Sequence, residues 1–175
     1  MFAYCNNCPV VYGDPTGHIS KYTFAAVFDC EGGECGTPHL VEAAYAATVY
    51  AEVAGENYRT KQAVAHVINN RMICGDWGES LSFVLSAPGQ FNGYGNPMFE
   101  DAMTYYATGR WDNPIEQKAM DDCMTAVREI TREGQKDFTG GALYFNSLLG
   151  PYDWSDADKF TLIDVPGTEG VWFYK

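Results

Sequence analysis

Glu52 is the residue of this sequence whose type and position are best suited to proton transfer. It lies in the last turn of a predicted helix made otherwise of Ala, Val, Tyr and Thr, shortly before Gly55. Apolar surroundings and the negative end of the helix dipole both disfavour a charged carboxylate. Both would raise the pKa of Glu52 and keep its carboxyl protonated nearer to neutral pH, as a general acid requires. The competing interpretation is that Glu52 faces solvent at a frayed helix end.

Four cysteines near the N-terminus are a second group that could do chemistry. Their pattern is C-x2-C followed by C-x4-C, at Cys5, Cys8, Cys30 and Cys35. Paired short spacings of this kind are the usual sign of a tetrahedral zinc site, so we favour a structural zinc. Disulfides and free thiols remain the alternatives, because the pattern alone does not reveal the redox compartment.

Capping signals define the helices that would position Glu52. Thr37 is a predicted N-cap, Pro38 follows at the first helical position, and an Ala-rich run continues to Ala54. Its apolar residues surround the axis, which predicts a central helix. A second helix is predicted over residues 60–72, with Gly75 just beyond its end.

Two further helices share an Asn-Pro start. One is predicted from Asn96 and Pro97 to Gly109, and the other from Asn113 and Pro114 to residue 134. The segment 89–97 is too rich in Gly and Asn for regular structure and is predicted to be a long loop.

The end of the chain changes its periodicity. Residues 142–146, 160–165 and 171–174 are rich in aromatic and β-branched side chains, which predicts three strands. The fold class is therefore α+β, mainly helical with a small C-terminal β-sheet. Residues 1–39, with four cysteines and no helical period, are predicted to be an N-terminal extension, and residues 40–175 to form the functional domain.

Composition excludes several classes of protein. The chain has 175 residues, of which 46% are hydrophobic, so it can bury a core and is not disordered. A net charge of −12 argues against a nucleic-acid partner. The uncharged Ala-rich stretch 43–51 is far shorter than the roughly 20 residues of a membrane span. The polar run after Met1 lacks basic and apolar leader regions, so we expect no signal peptide.

Four ordered segments resemble the signature of the SleB-type cell wall hydrolases, the spore-cortex-lytic enzyme family. The family patterns are approximately Y-A-E-A-x-G-E, Q-x-A-V-A-x-V-x-x-N-R, Q-F-S and D-P-T-x-G-A-x-Y-F. The matching segments are 50–56, 62–71, 90–92 and 137–145, and residues 171–174 resemble the family's closing strand. The sequence departs from the pattern at Asn92, at Phe138 and after the Tyr-Phe pair, but not at Glu52.

The resemblance implies a lysozyme-like domain that cleaves the MurNAc–GlcNAc β-1,4 bond of peptidoglycan as a lytic transglycosylase, without a cofactor for catalysis. It makes Glu52 the catalytic acid. It also places Gln90, Phe91, Tyr144 and Asn146 along the glycan groove. Tyr94, between two glycines, is added because a loop of this composition is not easily buried.

The resemblance leaves several alternatives open. A hydrolytic muramidase would need a second carboxylate, such as Asp76, Glu79 or Asp137. A non-catalytic glycan-binding or structural virion protein could keep the same fold, and a peptidase of the stem peptide is a third class. We expect delivery to the cell wall or periplasm of a target bacterium by a phage particle, by holin release or by a secretion machine.

Overall fold

The computed structural model describes residues 38–78, 80–132, 135–146 and 160–175. The four N-terminal cysteines, and with them the predicted zinc site, lie outside these residues. The predicted division at residue 39 stays a prediction, because the extension before it is not among the described residues.

Helix α1, Pro38–Val53, forms the centre of the domain. Every residue from 43 to 50 is buried, and the helix packs against the three longer helices that follow it in the chain. Its many alanines allow this, because small side chains let neighbouring helices approach from several sides. The predicted central helix is confirmed.

Helix α2, Tyr58–Cys74, is longer than the predicted 60–72 at both ends. The side chain of Asn57 accepts a hydrogen bond from the Thr60 N–H, so the N-cap lies three residues before the predicted start. At the other end Gly75 adopts φ 81° and donates its N–H to the Arg71 carbonyl. Val64, Val67 and Ile68 are fully buried against the core.

Helices α4, Pro97–Thr108, and α5, Pro114–Ile130, begin where the Asn-Pro pairs predict. Asn96 and Asn113 act as N-caps, and Gly109, at φ 65°, ends α4. Between α2 and α4 lies α3, Leu81–Ser86, which the sequence analysis missed. With six residues it is too short to establish a helical period, although Ser80 caps it.

A small antiparallel sheet follows the helices, in the order β1-β3-β2. Its strands are β1, Tyr144–Asn146, β2, Leu162–Ile163, and β3, Trp172–Tyr174. Tyr144 pairs with Tyr174, and Leu162 pairs with the same residue from the other side. All three strands are shorter than predicted, but the α+β class, mainly helical with a C-terminal sheet, is confirmed.

Within the described residues, no helix has the length and apolar character needed to cross a membrane.

Candidate active site

Glu52 lies in the last turn of α1, where the long loop between α3 and α4 crosses the end of the helix. The Gly93 N–H of that loop donates a hydrogen bond of 2.5 Å to Glu52 Oε1. The side chain is partly buried, so the interpretation of Glu52 as a residue pointing freely into solvent is wrong.

Gly93 permits this contact because it has no side chain. A Cβ atom there would lie 2.8 Å from Ala51 Cβ and 2.9 Å from Glu52 Oε1, closer than real Cβ atoms come to other atoms. The loop is held in place by turns in its own backbone, with Tyr94 N–H bonded to the Phe91 carbonyl and Asn96 N–H to the Gly93 carbonyl. The close approach of backbone to helix therefore requires glycine at this position.

Burial raises the pKa of the Glu52 carboxyl above its ordinary value. The hydrogen bond from Gly93 and the positive charge of Arg71 act in the opposite direction without cancelling the effect of burial. A carboxyl in this balance holds its proton nearer to neutral pH than an exposed glutamate does, and it still has groups that stabilise its ionised form.

Arg71, near the end of α2, is the cation of the site. The residue is 3% exposed, and its Nε donates a hydrogen bond of 2.6 Å to the Leu143 carbonyl. Three rings surround the guanidinium: its carbon lies 4.7 Å from the Phe91 ring centroid, 4.8 Å from that of Trp77 and 5.3 Å from that of Tyr144. Burial lowers the pKa of Arg71 to about 10, so it stays charged at neutral pH.

The structure separates the five predicted groove residues into two kinds. Phe91 is 6% exposed and packs near Arg71 and Phe145, so its ring belongs mainly to the core. The others are partly exposed: Gln90, Tyr94, Tyr144 and Asn146. Their role in binding a glycan remains a prediction.

Tyr94 lies in the loop that contacts Glu52, whereas Tyr144 lies beside Arg71. Tyr94 follows Gly93 and packs edge-on against Phe99, with ring centroids 5.1 Å apart. Tyr144 belongs to β1 and packs against Trp77, and Asn146 shares its face of the strand because side chains alternate. Two of the predicted positions, Phe91 and Tyr144, thus lie against the Arg71 guanidinium, and Tyr94 adjoins the glycine that contacts Glu52.

Asp137, one of the possible second carboxylates, is engaged in a turn before β1. Its two oxygens accept four hydrogen bonds, two from Thr139 and one each from Asn70 and Gly141. Burial acts to raise the pKa of Asp137, but these hydrogen bonds outweigh it and hold the pKa below its ordinary value. His66 Nδ1 lies 3.6 Å from the carboxylate, and burial lowers the pKa of this histidine.

Of the two other candidates for a second carboxylate, Asp76 is among the described residues and Glu79 is not. Asp76 lies in the exposed turn after α2 and accepts a hydrogen bond of 3.3 Å from the Cys74 thiol.

Sequence reasoning did not single out Gly93, Arg71 or Trp77 as parts of the site. A usable signal existed for Arg71, because it continues the apolar face of α2 where a charged side chain is unexpected. Gly93 carried a weaker signal, as one of several glycines in its loop, and only the close contact with α1 distinguishes it.

Comparison with known proteins places this architecture in a family. The family model for Cell Wall Hydrolase matches residues 55–166, more than half of the chain. The chain belongs to the Cell Wall Hydrolase family. No curated protein and no solved structure gives a significant match to it.

Membership makes this cell wall hydrolase a peptidoglycan-degrading enzyme that acts on the cell wall. The α+β, lysozyme-like arrangement expected from the resemblance agrees with that family. The match begins three residues after Glu52 and therefore does not include it. The role of Glu52 is inferred from the geometry of the site. Within the described ranges, no cluster of three or more His, Cys, Asp or Glu side chains could hold a metal ion.

Proposed function

We propose that this cell wall hydrolase cleaves the MurNAc–GlcNAc β-1,4 bond of peptidoglycan as a lytic transglycosylase, with Glu52 as acid and then as base. The observation that carries the proposal is the setting of the Glu52 carboxyl. It is partly buried at the end of an apolar helix, its pKa is raised, and one of its oxygens accepts the Gly93 N–H.

In the first half of the reaction the Glu52 carboxyl gives its proton to the glycosidic oxygen. The bond from C1 of MurNAc to that oxygen breaks, its electron pair stays with the oxygen, and positive charge develops at C1. The leaving sugar departs with a free hydroxyl, and Glu52 is left as a carboxylate.

In the second half the C6 hydroxyl oxygen of the same MurNAc bonds to C1. Its proton passes to the Glu52 carboxylate, which restores the starting carboxyl. The product is a 1,6-anhydro sugar, and no water is consumed. One carboxyl group is sufficient for these two steps, whereas a hydrolase requires a second group that activates water or attacks the sugar.

The engagement of Asp137 favours the transglycosylase over a hydrolase that uses this residue. A carboxylate that accepts four hydrogen bonds has little capacity left to orient a water molecule, and its lowered pKa makes it a weak base. Asp76 and Glu79 remain the alternatives for a hydrolytic mechanism.

We further propose that four residues contact the glycan: Gln90, Tyr94, Tyr144 and Asn146. Phe91 supports them from the core without contacting the glycan. The partly exposed tyrosines offer ring faces against which the C–H faces of sugars pack. Phe91, which is buried, contributes by holding the loop and the Arg71 guanidinium.

The charge of the chain supports delivery by a carrier to the wall or periplasm of a target bacterium. At −12 the protein is repelled by an anionic wall over long range. A phage particle or a secretion machine would overcome this by placing the enzyme directly at its substrate.

Analysis of the products of purified peptidoglycan tests the mechanism. Wild-type protein, Glu52→Gln and a matched control, Glu42→Gln, are each incubated with sacculi, and the muropeptides are identified by mass spectrometry without prior reduction. Glu42 lies on the same helix and pairs with Arg128, away from the Gly93 loop. We expect 1,6-anhydro muropeptides from the wild type and the control, and almost none from Glu52→Gln.

Each other outcome contradicts the proposal in a different way. Reducing MurNAc ends indicate a hydrolytic muramidase, and new amino groups indicate a peptidase of the stem peptide. Binding to sacculi without any product indicates a glycan-binding or structural protein that keeps the fold.

A further inference from the structure

Arg71 is buried beside the site, and the reaction described above does not use it. Its Nε is bonded to the Leu143 carbonyl, but its buried Nη1 has no hydrogen-bond partner among the described residues. Among the described residues, no carboxylate forms a salt bridge with Arg71. An interior arginine is unfavourable unless its charge and its donors are matched, so this residue requires an explanation.

Three rings hold the guanidinium in this unfavourable position. Phe91, Trp77 and Tyr144 lie within 5.3 Å of its carbon, close enough for cation–π attraction. Phe91 is two residues from Gly93, whose N–H donates to Glu52. The loop between α3 and α4 therefore contacts the guanidinium through Phe91 and the carboxyl of Glu52 through Gly93.

We propose that Arg71 is a positioning residue that acts through Glu52: its fixed charge stabilises the carboxylate that Glu52 becomes when its proton passes to the leaving oxygen. This inference rests on the proposed function of Glu52. The charge is in place before the reaction and needs no reorganisation when the proton moves. It interacts more favourably with the ionised than with the protonated Glu52, and such a difference lowers the barrier to proton transfer.

The electrostatics of the two groups agree with this assignment. The Arg71 charge opposes burial in setting the pKa of Glu52, and the Glu52 charge opposes burial in setting the pKa of Arg71. Without Arg71, burial would make Glu52 hold its proton more tightly and release it less readily to the glycosidic oxygen.

Direct titration of Glu52 tests the inference without requiring activity. The side-chain carboxyl of Glu52 is followed by carbon-13 NMR in the full-length protein and assigned by its loss in Glu52→Gln. We expect Arg71→Gln to raise its titration midpoint by about one pH unit or more, the effect of losing a nearby opposite charge. The Glu52 midpoint in Arg71→Lys should lie between those of the wild type and Arg71→Gln, because the ammonium keeps the charge but not the planar contacts with the rings.

Arg59→Gln is the matched control. Arg59 lies on the same helix and stacks over Phe138, so its loss removes one charge and one ring contact elsewhere. We expect no change in the Glu52 midpoint. Should Arg71→Gln fail to fold by circular dichroism, Arg71→Met replaces it, because its unbranched side chain can fill the space between the rings. A midpoint that is the same in the wild type and the neutral variant overturns the proposal.

The pH profile of peptidoglycan cleavage separates positioning from a purely structural role. The neutral variant should lower kcat with little change in KM, and its alkaline limb should move to higher pH in step with the NMR midpoint. Loss of activity with the limb unmoved means that Arg71 only supports the fold. A wild type that forms no anhydro product, but whose midpoint depends on Arg71, refutes the proposed function and leaves the pairing of the two residues intact.

Discussion

At the scale of single residues, Glu52 is governed by two opposing influences. Burial at the end of α1 favours its protonated form, whereas the Gly93 N–H and the Arg71 charge favour its carboxylate. In the proposed mechanism, where one carboxyl acts as acid and then as base, this balance is favourable, because neither the protonated nor the ionised form is stabilised too strongly to convert into the other.

Replacing Glu52 by Gln should separate catalysis from stability. Gln is nearly isosteric and keeps an acceptor for Gly93, but it has no proton to give, so cleavage should fall by a factor of about 10² to 10⁴. The raised pKa of Glu52 in the folded state means that wild-type stability decreases as pH rises from the unfolded-state pKa through the folded-state pKa. The variant does not titrate there, so its stability relative to wild type should increase between about pH 4 and pH 7.

Urea unfolding at both pH values measures this difference, and muropeptide analysis measures the activity. A stability difference that is the same at both pH values would mean that burial does not act on Glu52 as described. Activity within a few-fold of wild type would remove Glu52 from the mechanism.

Gly93→Ala tests the close approach of the loop to α1. The added Cβ would overlap Ala51 and the Glu52 carboxyl, so the loop must move and the hydrogen bond to Oε1 must lengthen. We expect cleavage to fall at least about tenfold, because displacements near 1 Å at a catalytic group can cost as much as about a hundredfold. Gly55→Ala is the control, since nothing lies within 4 Å of a Cβ there. Equal activity of the two variants would show that the loop adapts to a methyl group without disturbing Glu52.

At the scale of elements, the turn of residues 137–142 leads into β1 and is held against α2 by hydrogen bonds. The Asn70 amide of α2 donates to Asp137, to Thr139 and to the Ala142 carbonyl, immediately before β1. Next to it, Arg71 binds the Leu143 carbonyl. The position of Tyr144 relative to the end of α2 therefore depends on this turn.

Asp137→Ala should destabilise the fold by about 1 kcal/mol, since it removes hydrogen bonds to a charged group that solvent still partly screens. The pKa of Asp137 is lowered in the folded state, so its contribution is present above the unfolded-state pKa and is lost as pH falls through the folded-state value. Urea unfolding at pH 7 and about pH 3 should show a larger difference between wild type and variant at pH 7 than at pH 3. The exposed Asp112 provides the control substitution, and a difference independent of pH would contradict the role of the carboxylate.

At the scale of the whole molecule, the net charge of −12 acts against binding to an anionic wall. Raising the ionic strength from about 10 mM to about 150 mM shortens the Debye length from roughly 30 Å to roughly 8 Å and screens this repulsion. We expect the rate at which the isolated protein clears a peptidoglycan suspension to rise over this range. A steep fall would indicate a local basic patch that controls binding, and a free-standing lysin would then be favoured over a carried one.

A chain that begins at Gly36 tests the predicted N-terminal extension. It lacks all four N-terminal cysteines and keeps every residue that the structure describes. We expect it to cleave peptidoglycan, whereas a folded but inactive product would make the extension part of the site. Elemental analysis should find about one zinc in the full chain and none in the shortened one. A full-length mass lowered by lost hydrogens would indicate disulfides instead.

The sequence by itself determined the four longer helices, the starts of α1, α4 and α5, the end of α4 and the presence of a C-terminal sheet. These features depend on near neighbours: Asn96 and Asn113 cap the helices that follow them, and Gly109 ends α4 through its own backbone conformation. The position of Glu52 in the last turn of an apolar helix was predictable for the same reason. The short helix α3 was not, because six residues contain too little periodicity to be recognised.

Only the tertiary structure decided what surrounds Glu52. The contact with Gly93 joins residues 41 positions apart, and the bond from Arg71 to Leu143 spans 72. No local pattern encodes such distances, since they follow from how the loop, the end of α2 and β1 pack on the core. The same packing places Asp137, which the sequence presented as a possible catalytic carboxylate, in a hydrogen-bonded turn. It also buries Phe91, which the sequence presented as a groove residue.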